Sequence, residues 1–439
     1  MGFKRIDVKE INGFKLGNAE NQSAGTGCTV IISEEGAVAG VDVRGGGPAT
    51  RETDLLKSEN TVKAINAVVL SGGSAFGLEA GSGVMKYLEE KGIGFKIGER
   101  SIPIVAQASL YDLEVGSGDL RPDCEMGIQA CINAYDGIFD HGNHGAGTGA
   151  SVGKFYGMER AMKSSLGTFA CSDGILEVGA ITAVNAFGDV YNGNNNIIAG
   201  LLSKEKEYIK GSISVMKNHV HGDGGPETPD IRDPFKNDEV NTTVKLDDTE
   251  VVDLADDNHN YDDNTEEREL LSSTQETNAK TLDFSDTDDF CASEIDKIES
   301  KIEELRAELE NNLDAHKEVN GVDSIEDGPE YEPIPVEEMG YDVPFNTTLS
   351  CLITNAKLTK TQANKLASIL HDGFARAIKP VHGTLDGDAI FVMTTNQVEV
   401  NFDAFAALAT DIMQYSVIDG ALAATDAYGL KASRSIISK

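Results

Sequence analysis

Two stretches of this sequence have residue types and part of the spacing of known catalytic motifs, but each departs at a required position. The glycine-rich stretch 145–154 resembles a phosphate-binding loop, yet Thr148 replaces its first glycine and Phe155 replaces its Mg²⁺-binding hydroxyl. The stretch GGSAF at 72–76 resembles a turn that exposes a serine nucleophile, but Phe76 stands where that turn requires glycine. Neither a nucleotide-binding loop nor a serine-hydrolase elbow is therefore expected.

Two pairs of histidines could supply metal ligands. His219 and His221 are followed by Asp223, and His141 lies close to His144. A structural or catalytic metal site needs further ligands in a defined frame, and none accompanies these glycine-rich or charged segments. We expect solvated loop histidines and no metal site.

The elements that could position a site are strands and helices of a mixed α and β body. Apolar, β-branched runs predict strands, and 3-4 spacing of apolar residues predicts helices, one of which begins with a capping box at Thr359 and Gln362. The predicted strands are 28–32, 67–71, 180–185 and 389–394, and the predicted helices are 77–90 and 359–371. This pattern is typical of a layered α and β fold.

The acidic charge is concentrated in one part of the chain. The formal net charge is −36, and residues 204–346 hold 41 acidic and 13 basic residues, a net charge of −28. The remainder, at −8, has the charge of an ordinary globular protein. We therefore expect an acidic, largely disordered insert at about 204–340, because its polar composition buries too little apolar surface to offset ordering. So much negative charge also argues against binding to nucleic acid or anionic lipid.

One segment of this insert has helical spacing. The stretch near 293–313 starts with Ser293 and Asp296 in a capping pattern and continues with apolar residues at 295, 298, 302, 305 and 309. The segment predicts a short amphipathic helix. Pairing with a second copy and docking on its own body remain equally open, because it is brief for a coiled coil.

The sequence has the features of a cytoplasmic protein. No apolar run approaches the roughly 18 residues of a membrane helix, and the N-terminus lacks a signal-peptide core. Its six cysteines form no C-x-x-C pair, so no zinc ribbon or dithiol redox motif is indicated.

After the acidic insert, the body resumes at Pro344 with the sequence PFNTTLSCLITNA, which begins abruptly as a strand. This segment resembles the start of the β-chain in the DmpA/BapA-type β-aminopeptidases and in the related nylon-oligomer hydrolases. Further blocks resemble the same family in order, namely TGCTVII at 26–32, AVAGVDVRGG at 37–46, TRETDLL at 50–56, LSGGSAFGL at 70–78 and DGD at 386–388. The resemblance covers about 10–203 and 340–430. Precursors of this family cut themselves before a Ser or Thr.

The resemblance implies a cut between Asn346 and Thr347, with Thr347 as the N-terminal nucleophile. A threonine hydroxyl is a weak nucleophile that needs a base, and a new α-amine, with a pKa of about 7.7–8.0, can supply one at neutral pH. In the uncut chain the same hydroxyl would attack the Asn346 carbonyl to give an ester that water resolves. Without the resemblance, Thr347 would read as the first residue of a strand.

The resemblance also implies roles for other residues. Asp386 and Asp388 would hold the α-ammonium and tune the hydroxyl, although an Asp-Gly turn is the alternative. Asn185 would stabilise the oxyanion, or else satisfy a buried strand end. Lys154 would favour developing negative charge, or else be a snorkelling surface lysine. Tyr111 would line the substrate pocket, and a core tyrosine is equally consistent.

The family fold implied is α+β, a four-layer αββα sandwich, cut into an α-chain (1–346, with its body at 1–203) and a β-chain (347–439). The expected protein is a homo-oligomer of αβ units that hydrolyses small peptides or amides carrying β-, D- or small L-amino acids, without a cofactor. Its insert is roughly a hundred residues longer than the family pattern, which bears on processing and assembly. Two other functions stay open: an acyltransferase of the ornithine acetyltransferase type, which also splits before a threonine, and a non-enzymatic protein whose acidic arm binds a basic partner.

Overall fold

The computed structural model describes residues 2–217 and 346–437, and both ranges belong to one compact unit. The strands in these ranges are β1 (Lys4–Ile6), β2 (Lys15–Asn21), β3 (Thr26–Val43), β4 (Ala49–Arg51), β5 (Ala64–Ser71), β6 (Phe95–Ile97), β7 (Arg100–Ile102), β8 (Val105–Ser109), β9 (Ser151–Val152), β10 (Met162–Lys163), β11 (Leu166–Ser172), β12 (Glu177–Ala183), β13 (Asp189–Tyr191), β14 (Ile197–Ala199), β15 (Leu349–Ala356), β16 (Ile378–Lys379) and β17 (Ala389–Val398). The α-helices there are α1 (Ala80–Glu90), α2 (Cys124–Asp136), α3 (Ser212–Lys217), α4 (Lys360–Ala377), α5 (Phe402–Ala423) and α6 (Ser433–Ile437).

Ten of these strands are joined by hydrogen bonds in the order β1-β11-β12-β15-β17-β3-β5-β8-β4, with β2 paired to β3. The pairs β15–β17 and β5–β8 are parallel and the others are antiparallel. Strand β15 lies between β12 and β17, and all of its residues are buried. It is therefore a central strand, in agreement with its continuous run of apolar and small residues.

The core consists of large buried clusters on both faces of these strands. One cluster packs α4 and α5 on β12, β15 and β17, and another packs α1 and α2 on β3 and β5. A third joins side chains of β3, β5 and β8 to side chains of β12, β15 and β17. Because neighbouring residues of a strand face opposite sides, Cys351 and Leu352 of β15 belong to different clusters.

Most predicted elements of the body are confirmed. The predicted strands lie in β3, β5, β12 and β17, although β12 ends at Ala183, before Asn185. The helix predicted over 359–371 is α4, which continues to Ala377 and has the expected capping box at Thr359 and Gln362. The helix predicted over 77–90 is a 3₁₀ turn (Ser74–Glu79) followed by α1.

The acidic insert predicted at about 204–340 lies mostly outside the described residues, and so does the helix predicted near 293–313. Its first part is described: helix α3 lies there, and Ser212 within it is buried. In the part of the chain that the structure describes, none of the helices combines the length and the apolar character needed to cross a membrane.

Candidate active site

The starts of β15 and β17 lie side by side because these strands pair in parallel. Leu349 is opposite Ala389, and an isolated bridge extends the pairing back to Asn346 and Asp386. The residues just before each strand are therefore neighbours in space. This register brings the Asn-Thr-Thr segment before β15 against the Asp-Gly-Asp segment before β17.

Thr347 is buried in this junction, with 3% of its surface exposed. Its main-chain N–H donates to Asn185 O at 2.9 Å, and its hydroxyl donates to the carbonyl oxygen of Asn346. The first contact follows from the antiparallel pairing of β12 with β15, in which Ala183 is opposite Leu349. The hydroxyl of the predicted nucleophile thus contacts the carbonyl of the bond predicted to break.

The Asn346 carbonyl accepts a second hydrogen bond, from the main-chain N–H of Gly387 at 2.9 Å. A Cβ atom at Gly387 would lie 2.7 Å from Thr347 Oγ1 and 2.6 Å from Gly47 O, so no larger residue fits without movement. A preorganised N–H donor on a carbonyl can stabilise the oxyanion that forms there. Glycine at this position therefore allows the close approach of hydroxyl, carbonyl and donor.

The two aspartates have different surroundings. The Oδ1 atom of Asp388 accepts from Thr348 N at 2.7 Å, and its Oδ2 accepts from His382 Nδ1 at 2.8 Å. Asp386 accepts from Gly383 N at 2.7 Å through Oδ2, and the main chain of Phe187 also stabilises this buried carboxylate. Burial, and after it the charge of Asp388, raises the pKa of Asp386 to about 6.

Lys154 and Asn185 form a buried pair next to Thr347. Lys154 Nζ donates to Asn185 Oδ1 at 2.6 Å, and Ser151 N donates to the same oxygen at 3.0 Å. Burial lowers the pKa of Lys154 to about 7, although the charge of Asp386 opposes this shift. Lys154 is also fully buried, so the alternative that it is a snorkelling surface lysine is wrong.

The side chain of Asn185 donates through Nδ2 to the main-chain O of Tyr111 at 2.9 Å. The Tyr111 ring is half-buried, and its hydroxyl donates to Glu114 Oε1 at 3.3 Å. Burial, followed by the charge of Glu114, raises the pKa of Tyr111. The structure therefore brings the main chain of Tyr111 to Asn185, whereas its ring contacts Glu114.

Three groups near these residues, two of them fully buried, were missed in the sequence analysis, and Asp112 is the first. Its Oδ2 accepts from Thr26 Oγ1 at 2.7 Å and its Oδ1 accepts from Gly73 N at 2.7 Å, so it joins β3 to the Gly72-Gly73 turn. Burial raises the pKa of Asp112 to about 6. Its position directly after Tyr111 was the one available sequence signal.

The other two are Lys163 and His382. The ammonium of Lys163 donates to the carbonyl oxygens of Gly147, Ala150 and Ser164, and burial lowers its pKa to about 7. Nothing in the sequence distinguishes it from a surface lysine. His382, in contrast, lies in the loop that carries both aspartates, six residues before Asp388, and this spacing was a usable signal.

The histidine pairs do not form a metal site in the described residues. His144 contacts Glu20 Oε1 at 2.9 Å, and residues 2–217 and 346–437 contain no group of three or more His, Cys, Asp or Glu side chains that could hold an ion. His219 and His221 lie outside the described residues.

Comparison with curated proteins finds relatives along the whole chain. An uncharacterised aminopeptidase of Mycobacterium leprae is 39% identical over 199 residues, which is 42% of this chain and 53% of that relative, so the match spans about half its length. An uncharacterised aminopeptidase of Mycobacterium tuberculosis is 26% identical over 453 residues, 98% of this chain and 97% of the relative. The 6-aminohexanoate-oligomer endohydrolase of Kocuria sp. is 23% identical over 423 residues, 93% of this chain and 84% of that enzyme.

Solved structures share the fold at low sequence identity. A β-aminopeptidase of Burkholderia sp. superposes with a TM-score of 0.50 and 13% identity, over 98% of this chain and 92% of that one. The L-aminopeptidase D-Ala-esterase/amidase of Ochrobactrum anthropi, a variant of the Ntn hydrolase fold, gives a TM-score of 0.50 and 14% identity, over 98% and 93%. The sequence model of Peptidase family S58 matches residues 6–223 and 273–434, which is most of the chain. The resemblance drawn from the motif series is thereby confirmed: the chain belongs to Peptidase family S58.

Proposed function

We propose that this chain is a self-cleaving amidohydrolase with Thr347 as its nucleophile, made N-terminal by a cut after Asn346. The observation that carries the proposal is the environment of the Asn346 carbonyl. Its oxygen accepts from the Thr347 hydroxyl and from the Gly387 N–H, so nucleophile, target and oxyanion donor are already adjacent. Membership of a peptidase family supports the same reaction class.

The cleavage itself needs only these groups and water. Oγ1 of Thr347 attacks the carbonyl carbon of Asn346, the hydroxyl proton passes to the amide nitrogen, and the C–N bond breaks. This leaves an ester between the two residues and a free α-amine on Thr347. Water then hydrolyses the ester, giving a carboxylate on Asn346 and restoring the hydroxyl. The N–H of Gly387 stabilises the oxyanion, a kind of contact typically worth about 100- to 1,000-fold in rate.

After the cut, the α-amine of Thr347 acts as the general base for its own hydroxyl. The carboxylate of Asp386 is buried and its main chain pairs with Asn346, so it lies where it can accept from the new ammonium. An acyl-Thr347 intermediate forms as the amine of the substrate leaves, and water resolves it. Asn185 contacts Thr347 through its main-chain oxygen and holds Lys154 through its side chain, so that the lysine charge can stabilise negative charge in both steps. This chemistry requires no metal or organic cofactor.

The substrate is a small peptide or amide with a free amine near the scissile bond, such as a β-amino, D-residue or small L-residue peptide. Buried carboxylates favour a cationic group, and Asp386 and Asp388 supply them next to the nucleophile. The relatives are named aminopeptidases and 6-aminohexanoate-oligomer hydrolases, both of which act on amide bonds.

We also propose the four-layer αββα arrangement and an oligomer of αβ units in the cytoplasm. The three hydrophobic clusters support the four-layer arrangement. Helices α1 and α2 pack on one group of strands and α4 and α5 pack on another, while a third cluster joins the two groups of strands. The oligomer is proposed from the motif resemblance of the sequence alone.

The proposal is tested by intact mass spectrometry of the purified protein, with N-terminal sequencing of any fragment. We expect the wild type to yield chains 1–346 and 347–439, and Thr347→Ala to remain a single chain without hydrolytic activity. Thr348→Val is the matched control, because the Thr348 hydroxyl has no hydrogen-bond partner among the described residues. This control should cleave as the wild type does. Hydrolysis at the wild-type rate by Thr347→Ala would refute the mechanism.

A further inference from the structure

His382 contacts the carboxylate oxygen of Asp388 that does not contact Thr348. Its ring Nδ1 is 2.8 Å from Asp388 Oδ2, and its main-chain N–H donates to the same oxygen at 3.3 Å. The other oxygen, Oδ1, accepts the N–H of Thr348 at 2.7 Å. The geometry points to His382 as a positioning residue: it holds the Asp388 carboxylate, and this carboxylate in turn holds the main chain directly after Thr347. The inference rests on the proposed function of Thr347.

Oδ2 of Asp388 has two donors from His382, the ring Nδ1 at 2.8 Å and the longer main-chain N–H at 3.3 Å, and only the second remains when the ring is removed. Asp388 is buried, with 1% of its surface exposed, so no bulk water solvates Oδ2. A buried carboxylate oxygen that loses its donor must find another or become less stable as an anion. Rotation of the carboxylate toward a new donor would withdraw Oδ1 from Thr348. The contact with His382 therefore decides where Oδ1 lies.

In the contact between His382 and Asp388, the ring Nδ1 is the donor. Because Oδ2 of an ionised carboxylate only accepts, Nδ1 carries the proton, and Nε2 is buried without a partner among the described residues. The ring packs edge to face on His371, with centroids 4.6 Å apart, and His371 is held by its Nε2 donating to Asp42 O at 3.2 Å.

The main-chain conformation of His382 also favours its contact with Asp388. Its φ of +59° lies in the left-handed region, which residues other than glycine rarely adopt. This conformation directs both the ring nitrogen and the main-chain N–H of one residue to a single oxygen of Asp388. Backbone of this kind persists where neighbouring contacts determine it, and such residues cluster at functional sites.

The test compares His382→Leu, which removes the ring donor, with His382→Asn, whose short amide side chain can still donate to Asp388. His141→Leu serves as control, since His141 is exposed and was not assigned a role in the site. The self-cleavage rate is followed by intact mass, and kcat and KM are measured on a β-aminoacyl p-nitroanilide. We expect His382→Leu to lower the cleavage rate and kcat by about 10- to 100-fold with KM within about twofold, as for loss of a hydrogen bond to a charged group. His382→Asn should recover most of that loss, and His141→Leu should match the wild type.

Wild-type rates in His382→Leu, or equal impairment of the Leu and Asn variants at the same thermal stability, would overturn the inference. If His382→Leu does not fold, His382→Asp replaces it in the comparison, because Asp matches Asn in size but lacks the N–H donor. Failure of the proposed function is distinguishable, since in that case the wild type itself would show no fragment beginning at Thr347.

Discussion

Lys154 and Asp386 are buried groups whose pKa values move toward each other. Burial lowers the pKa of Lys154 to about 7 and raises that of Asp386 to about 6. Both groups therefore change charge within reach of neutral pH, as expected of residues that act in catalysis. The negative charge of Asp386 raises the pKa of Lys154, and the positive charge of Lys154 lowers the pKa of Asp386. Each partner thus favours the charged form of the other, but burial has the larger effect on both pKa values.

This leads to a pH dependence of self-cleavage. If the Lys154 ammonium stabilises negative charge on the Asn346 carbonyl, the rate must fall as pH rises through about 7, where the lysine loses its proton. Lys154→Met should cleave about 100-fold more slowly and lose this dependence, in line with loss of one oxyanion-stabilising group. Lys154→Arg keeps the charge and should extend cleavage to higher pH. Rates are measured by intact mass over pH 5–9. The same alkaline decline in Lys154→Met would show that another group titrates.

At the residue scale, sequence reasoning found the residues that belong to motifs and missed those that act from outside them. Thr347, Asp386 and Asp388 lie in blocks with a family pattern, and the structure brings them together. Asp112 and Lys163 were missed because each contacts main-chain groups of another segment. Such contacts have no local sequence pattern, since they depend on how distant segments pack.

At the scale of elements, local signals predicted helices and strands, whereas pairing between them came only from the structure. The capping box at Thr359 and Gln362 marks the start of α4 because both of its hydrogen bonds are local. The parallel pairing of β15 with β17 joins segments separated by α4, and nothing in either strand specifies it. That pairing is what assembles the site.

Helix α4 packs so closely on β3 that only glycine fits beneath it. A Cβ atom at Gly40 would lie 2.3 Å from the main chain of Ala363 and Asn364. We expect Gly40→Ala to move α4 and to destabilise the fold by about 1–3 kcal/mol, the usual cost of overpacking. The Tm should fall by less than the 2–4 °C for each kcal/mol that is typical of domains of about 150–250 residues, because this unit is larger. Gly193→Ala is the matched control, because a Cβ there meets no atom within 4 Å. Calorimetry that found equal Tm values for both variants would contradict this account.

At the scale of the whole molecule, the stretch that the family model leaves unmatched lies within the acidic region. Residues 204–346 carry a net charge of −28 out of −36, and the family model matches 6–223 and 273–434 but leaves 224–272 unmatched. The described site draws on residues up to 185 and from 346 onward, all within the matched ranges. The unmatched stretch therefore contains none of the residues assigned to the proposed chemistry.

We accordingly expect the chain to cleave and to hydrolyse amides without residues 224–272. In a variant with this stretch replaced by a short Gly-Ser linker, the fragment beginning at Thr347 should form at a rate within about threefold of the wild type, because the contacts of Thr347, Gly387 and Asp388 are retained. Intact mass spectrometry follows the cleavage, and the same variant carrying Thr347→Ala controls for proteolysis by other enzymes. A deletion variant that stays uncut while its thermal stability equals that of the wild type would assign the acidic stretch a direct part in processing.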